Sequence, residues 1–181
     1  MINYWAEGPT AVTITEIGKQ TGSSKPSLYR EFGNDDGLKA AALKLYSERA
    51  LEPLYAILEQ NPQPTDVIDQ FIAFITQDRS SLALPLGCLQ IKMRAHLRSL
   101  GPQTQSEVAR IKERTLTAYA KCIRNGRRTG LFSTDVRPQI GALLFDTMNA
   151  GAMTMQSDGV PAAKIRGVLA LGLSSLLAQE R

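Results

Sequence analysis

Residues 13–32 read Thr13-Ile14-Thr15-Glu16-Ile17-Gly18-Lys19-Gln20-Thr21-Gly22-Ser23-Ser24-Lys25-Pro26-Ser27-Leu28-Tyr29-Arg30-Glu31-Phe32. Thr13 followed by Glu16 three positions later is a capping box, which gives a helix a defined beginning. Gly18 lies inside that helix, where a side chain is expected; a close crossing with the next helix would account for its absence. Gly22 stands where a left-handed residue must end one helix and turn the chain. Ser24 then caps a second helix, and Pro26 is tolerated because first-turn amides have no helical partner. Ile17, Leu28 and Phe32 are spaced to point inward and hold the pair together. The stretch reads as a helix-turn-helix.

One consequence is an exposed helix N-terminus built from Ser24, Lys25, Pro26 and Ser27. Short side chains and free amides there suit base edges in a major groove and nearby phosphates. Lys25 matches guanine acceptors, Pro26 and Ser27 match a thymine methyl or a backbone oxygen, and Tyr29 matches a phosphate. The competing reading is an ordinary pair of packed helices joined by a glycine turn.

Outward from this unit the pattern stays helical. A short helix fits Ile2 to Glu7 and stops at Gly8-Pro9, and a long one fits Asp36 to about Gln60, broken by Asn61-Pro62-Gln63-Pro64. Further helices are expected at 65–80, 86–100, 102–129, 135–156 and 161–179. Thr65 and Asp135 are expected as N-caps and Pro161 in a first turn. No stretch alternates long enough to argue a strand. The predicted fold class is all-α: an N-terminal helix-turn-helix DNA-binding domain over residues 1–45, then a C-terminal helical domain over residues 46–181.

Composition limits the alternatives. With 43% hydrophobic and 21% charged residues, the 181-residue chain has the balance of a globular protein with a sizeable core. No run reaches the roughly 18 apolar residues of a membrane span, so no membrane is expected as a partner. The first residues do not read as a secretion signal, and Cys88 and Cys122 are too few for a disulfide framework, so reduced thiols and a cytoplasmic location are expected. The net charge of +4 is not evidence for DNA binding, because residues 1–60 hold six bases against eight acids. One histidine, His96, and no paired acid or nucleophile arrangement leave little for a small helical enzyme; no metal site and no cofactor are expected.

The run Ile17-Gly18 through Gly22, then Ser24-Lys25-Pro26-Ser27-Leu28-Tyr29 and Phe32, resembles the signature of the TetR family of transcriptional regulators, and Leu38 falls where that family places a leucine. Gly87-Cys88-Leu89 and Gly130-Leu131-Phe132 agree as local features. By position, the resemblance implies base contacts from Thr15, Lys25, Pro26 and Ser27, and phosphate contacts from Thr13, Ser24 and Tyr29. Three positions depart from the pattern. Gly18 replaces the usual alanine, Asp35 stands where a phosphate-binding lysine is usual, and the first helix is shorter than the family's. A ligand-binding or interaction module with impaired DNA binding is therefore the alternative function.

The resemblance also implies that residues 46–181 are a ligand-binding and dimerisation domain, in a homodimer that responds to an unidentified small molecule. Ile140, Leu144, Thr147, Met148, Gly151 and Met155 form one apolar face in 135–156. Ile165, Val168, Leu169, Gly172, Leu176 and Leu177 form another in 161–179, widened by Leu171 and Leu173. Pairing with symmetry mates would make a four-helix seam. Phe74, Met93, Leu97, Tyr119, Ile123, Phe145 and Met148 are candidate lining residues for an effector, against the plainer reading that they are core. Cys88, near a helix start, is a candidate thiol sensor, while Cys122 and the Arg124, Arg127, Arg128 face read as structural and solvated.

Overall fold

The computed structural model describes residues 1–60, 66–79 and 81–178. Ten α-helices follow in order: α1 (Ile2–Glu7), α2 (Ile14–Thr21), α3 (Lys25–Phe32), α4 (Asp35–Tyr46), α5 (Glu52–Gln60), α6 (Val67–Ile75), α7 (Leu89–Ala95), α8 (Pro102–Arg128), α9 (Pro138–Ser157) and α10 (Ala162–Ser174). Among the described residues there is no strand beyond an isolated bridge between Phe132 and Leu177. The fold is all-α, as the periodicity implies. No described helix is long and apolar enough to cross a membrane.

The expected helix over 36–60 is α4 and α5 joined through one π-helical turn, Ser47–Leu51. Pro53 supplies a physical reason. In a regular helix its ring would meet the carbonyl four residues back, at Arg49, and a wider turn relieves that clash. The break at 61–64 and the Thr65 cap lie outside the described residues. Two other starts differ from expectation. The helix expected from Asp135 begins at Pro138 with Arg137 as its N-cap, because the proline ring fits a first turn and the Asp135 amide instead bonds the Ser133 hydroxyl. Pro161 is the N-cap of α10 and lies just outside its first turn.

The chain divides into two compact units, Met1–Ala50 with Arg79–Ile111 and Leu51–Asp78 with Lys112–Arg181. These units interleave along the chain, whereas the division at residue 45 is one of expected function. In the first unit, Tyr4 and Trp5 of α1 are fully buried. Trp5 sets its ring edge-on to Tyr46 at 4.8 Å and donates its indole N–H to the Gly87 carbonyl at 3.0 Å. The short first helix thus plugs this core. In the second unit Phe71, Tyr119, Phe132 and Phe145 form one aromatic cluster, with Tyr119 and Phe145 stacked at 5.2 Å and Phe71 edge-on to Phe145 at 5.2 Å.

Candidate DNA-binding site

The expected capping box at α2 is present in full. The Glu16 amide donates to the Thr13 hydroxyl at 3.3 Å, and the Glu16 carboxylate accepts from the Thr13 amide at 2.7 Å and from its hydroxyl at 2.8 Å. Those bonds hold the Glu16 carboxyl below its usual range, the Thr13 amide first and the hydroxyl second. Gly22 ends the helix with φ +67°, the left-handed conformation that glycine adopts without a Cβ penalty. Gly18 sits at the crossing: a Cβ there would stand 3.0 Å from the Ser23 carbonyl oxygen and 3.4 Å from Leu28 Cδ1. The tight neighbour is the turn's own Ser23 carbonyl, whereas Leu28 of α3 lies at an ordinary contact distance, so the expected close helix crossing is not what makes this position tight.

Ser24 caps α3 by accepting from the Ser27 amide at 3.3 Å. Ile17 and Leu28 are buried between the helices, which fixes α3 against α2. The opposite face is open. Thr13, Thr15, Ser24, Lys25 and Pro26 are exposed, Ser27 is half-buried, and Tyr29 is 40% exposed. Lys25 extends along this face with its ammonium 5.8 Å from the centre of the Tyr29 ring. Six of the seven sequence-predicted contact residues are thus exposed, Thr13 and Thr15 at the start of α2 and Ser24, Lys25, Pro26 and Tyr29 on α3 and its cap. This arrangement suits the edge of a groove, with a cation and a phenol flanking short polar groups.

Sequence reasoning did not find what surrounds this face. Asp35, which stands where the resemblance places a phosphate-binding lysine, accepts the Ile14 amide at 3.1 Å and pairs with Lys39. Its carboxylate satisfies the first free amide of α2. Thr13 spends its hydroxyl proton on Glu16, so a phosphate contact from Thr13 requires that bond to be exchanged. Asp36, next in the chain, accepts from the Gln103 amide at 2.8 Å and the Thr104 amide at 3.1 Å. The only sequence signal for these roles is an acidic pair in a first turn, which the helix dipole alone explains.

The other candidates fall in separate places. Met93 is buried in the first unit, and Leu97, 40% exposed, lies in its 3₁₀ turn Leu97–Ser99. In the second unit Tyr119, Ile123 and Phe145 are fully buried, Phe74 is half-buried, and Met148 packs its sulfur where a Cβ on Gly172 would stand. A cavity of about 190 Å³ in that unit is lined instead by Leu58, Glu59, Val67, Cys122, Asn125 and Arg128, among others. Cys88 is buried at the start of α7 and receives the Tyr46 hydroxyl proton at 3.2 Å; burial, then the thiol, pushes the Tyr46 phenol up. Cys122 is buried too, and burial raises its thiol to about 12. His96 is exposed.

This architecture, with its capped and turned helix pair, is the fold of TetR-family transcriptional regulators. A TetR regulatory protein from Rhodobacter sphaeroides superposes with a TM-score of 0.84 at 18% identity, over 97% of this chain and 94% of its own. The reduced form of Escherichia coli NemR gives 0.76 at 19%, over 95% and 90%. A cysteine variant of the TetR-family regulator CifR, bound to a 26-base-pair operator duplex, gives 0.78 at 18%, over 96% and 90%. In sequence, the repressor ComR of Escherichia coli K12 is 31% identical over 90 residues, which is 49% of this chain and 42% of ComR. The chain thus matches less than half the length of that relative. No family model matches it.

Proposed function

We propose that this chain is a DNA-binding transcriptional repressor that works as a homodimer in the cytoplasm and releases its operator when a small molecule binds. Residues 1–45 would read the DNA; residues 46–181 would pair the copies and receive the effector. The observation that carries the reading is the start of α3, where Ser24, Lys25, Pro26 and Tyr29 are exposed on a helix whose other face is pinned by Ile17 and Leu28. Rigid support behind and short polar groups in front are what groove reading needs. ComR, similar to this chain over 90 residues, is an HTH-type transcriptional repressor.

Pairing through α9 and α10 is supported by apolar side chains left facing solvent. Ile140 and Leu143 on α9 are 60% and 50% exposed, and Val168 and Leu171 on α10 are 45% and 78% exposed. Apolar residues at that density on neighbouring helices mark an interaction surface. A dimer also doubles the number of reading helices, and two linked half-sites bind far better than one.

For the effector, the second unit supplies the cavity beside Cys122, while the aromatic cluster around Tyr119 and Phe145 fills its own space with ring contacts. Phe74 and Met148 border that cluster's unit and stay candidates for effector contact; Met93 and Leu97 do so for the first unit. Burial under Tyr46 means that a sensor role for Cys88 needs local opening before the thiol can react. The test is titration of the full chain onto the DNA just upstream of its own coding sequence, at several salt concentrations. Specific binding that weakens in Lys25→Ala supports the repressor. A ligand-binding module without DNA reading gives only weak binding that does not distinguish sequences.

A further inference from the structure

Helix α8 runs for 27 residues, yet its own N-terminus has no means of capping itself. Gly101, in the capping position, has no side chain, and Pro102 follows it at the first helical position. The next two amides, of Gln103 and Thr104, would be orphan donors in a helix whose Thr104 is completely buried. Asp36 satisfies both from 67 and 68 residues earlier in the chain, Oδ2 accepting from Gln103 at 2.8 Å and Oδ1 from Thr104 at 3.1 Å. The Thr104 hydroxyl adds a bond to Oδ1 at 2.6 Å and lies 3.1 Å from the Asp36 carbonyl oxygen. Gly101 permits the approach, because a Cβ there would overlap the carboxylate.

The same residue belongs to the first turn of α4, directly after the recognition helix. Asn34 caps that turn by accepting from the Gly37 amide at 2.8 Å. Gly37 has no side chain because a Cβ would overlap the Phe32 carbonyl oxygen at the end of α3. Asp35 holds the start of α2 through the Ile14 amide at 3.1 Å. The two adjacent aspartates therefore tie α2 and α8 to one turn of α4, with the end of α3 resting on it. We propose that Asp36 is a positioning residue for DNA reading: by capping α8 it fixes the recognition helix, and operator affinity depends on a carboxylate that touches no DNA. This inference rests on the repressor reading.

The test compares variants of the full chain on a duplex that the wild-type protein selects from a random-sequence library. Simple electrostatics and the proposal predict opposite signs. Removing an acid near DNA should strengthen binding, whereas loosening the cap should weaken it. Asp36→Asn and Thr104→Val are each expected to weaken binding about five- to tenfold, the scale of a lost cap, with the salt slope unchanged because no phosphate contact is lost. The double variant should bind no worse than the weaker single, since both act through one contact. Without DNA, amide hydrogen exchange in α3 should speed up in Asp36→Asn, which reads the same loosening in any variant that folds. Unchanged or tighter binding, an additive double variant, or unaltered exchange in α3 overturns the proposal while leaving the repressor reading in place. If the wild type selects no duplex, the repressor reading falls and takes the inference with it.

Discussion

Asp35 and Asp36 are neighbours with opposite expected effects on DNA binding. Asp35 stands beside the reading face, and its Oδ1 accepts the Ile14 amide, a role that an asparagine oxygen can keep. Asp35→Asn should therefore retain the cap on α2, release Lys39 from its ion pair, and tighten DNA binding with a steeper salt dependence, measurable by anisotropy titration. At Lys25 the opposite holds: Lys25→Ala should cost about 1–3 kcal/mol if it reads a base and relax preference at that position. Asp36 also carries a pH signature. Burial pushes its carboxyl up, but the Thr104 hydroxyl and the Gln103 and Thr104 amides outweigh this and leave it below the usual range. A lowered folded pKa means that the stabilisation is present above the unfolded value of about 3.9 and is lost as pH falls through the folded value. Thermal unfolding followed from pH 6 to pH 2 should show a steeper acid loss in the wild type than in Asp36→Asn.

Among the elements, the helix pair was the most legible part of the sequence. Its capping box, its left-handed Gly22 and its Ser24 cap are local devices, each set by residues within a few positions of one another, so a linear reading captures them. Gly22→Ala should cost about 1–2 kcal/mol through its positive φ and lower the melting temperature, with α2 and α3 losing exchange protection first. What the sequence left unread depends on distant partners. Nothing near Asp36 reveals that Gly101 and Pro102 leave α8 without a cap of its own, and nothing near Pro53 reveals that the turn before it widens. The start of α9 was misplaced for a different reason. Asp135 has the right residue type for a cap, but two competing signals, the Ser133 turn and Pro138, lie close by and win. The residues Tyr119 and Phe145 have helical spacing that core and pocket share, and in the structure their rings pack on one another.

For the whole molecule, the proposed mechanism needs two copies. The surface of α9 and α10 carries Leu171 at 78% exposure, so Leu171→Glu removes little packing within the chain. That variant should fold normally, sediment as a monomer where the wild type sediments as a dimer, and bind DNA far more weakly because two half-sites are no longer linked. A wild type that is monomeric at micromolar concentration contradicts this part of the account. Everything in the repressor reading depends on the exposed face of α3 reading a specific DNA sequence. The most direct test is the affinity of the full chain for the DNA upstream of its own coding sequence, measured against a scrambled duplex across a salt series. A clear preference for the upstream duplex is expected, persisting as salt rises and reduced in Lys25→Ala. Equal affinity for both duplexes at every salt concentration would contradict it.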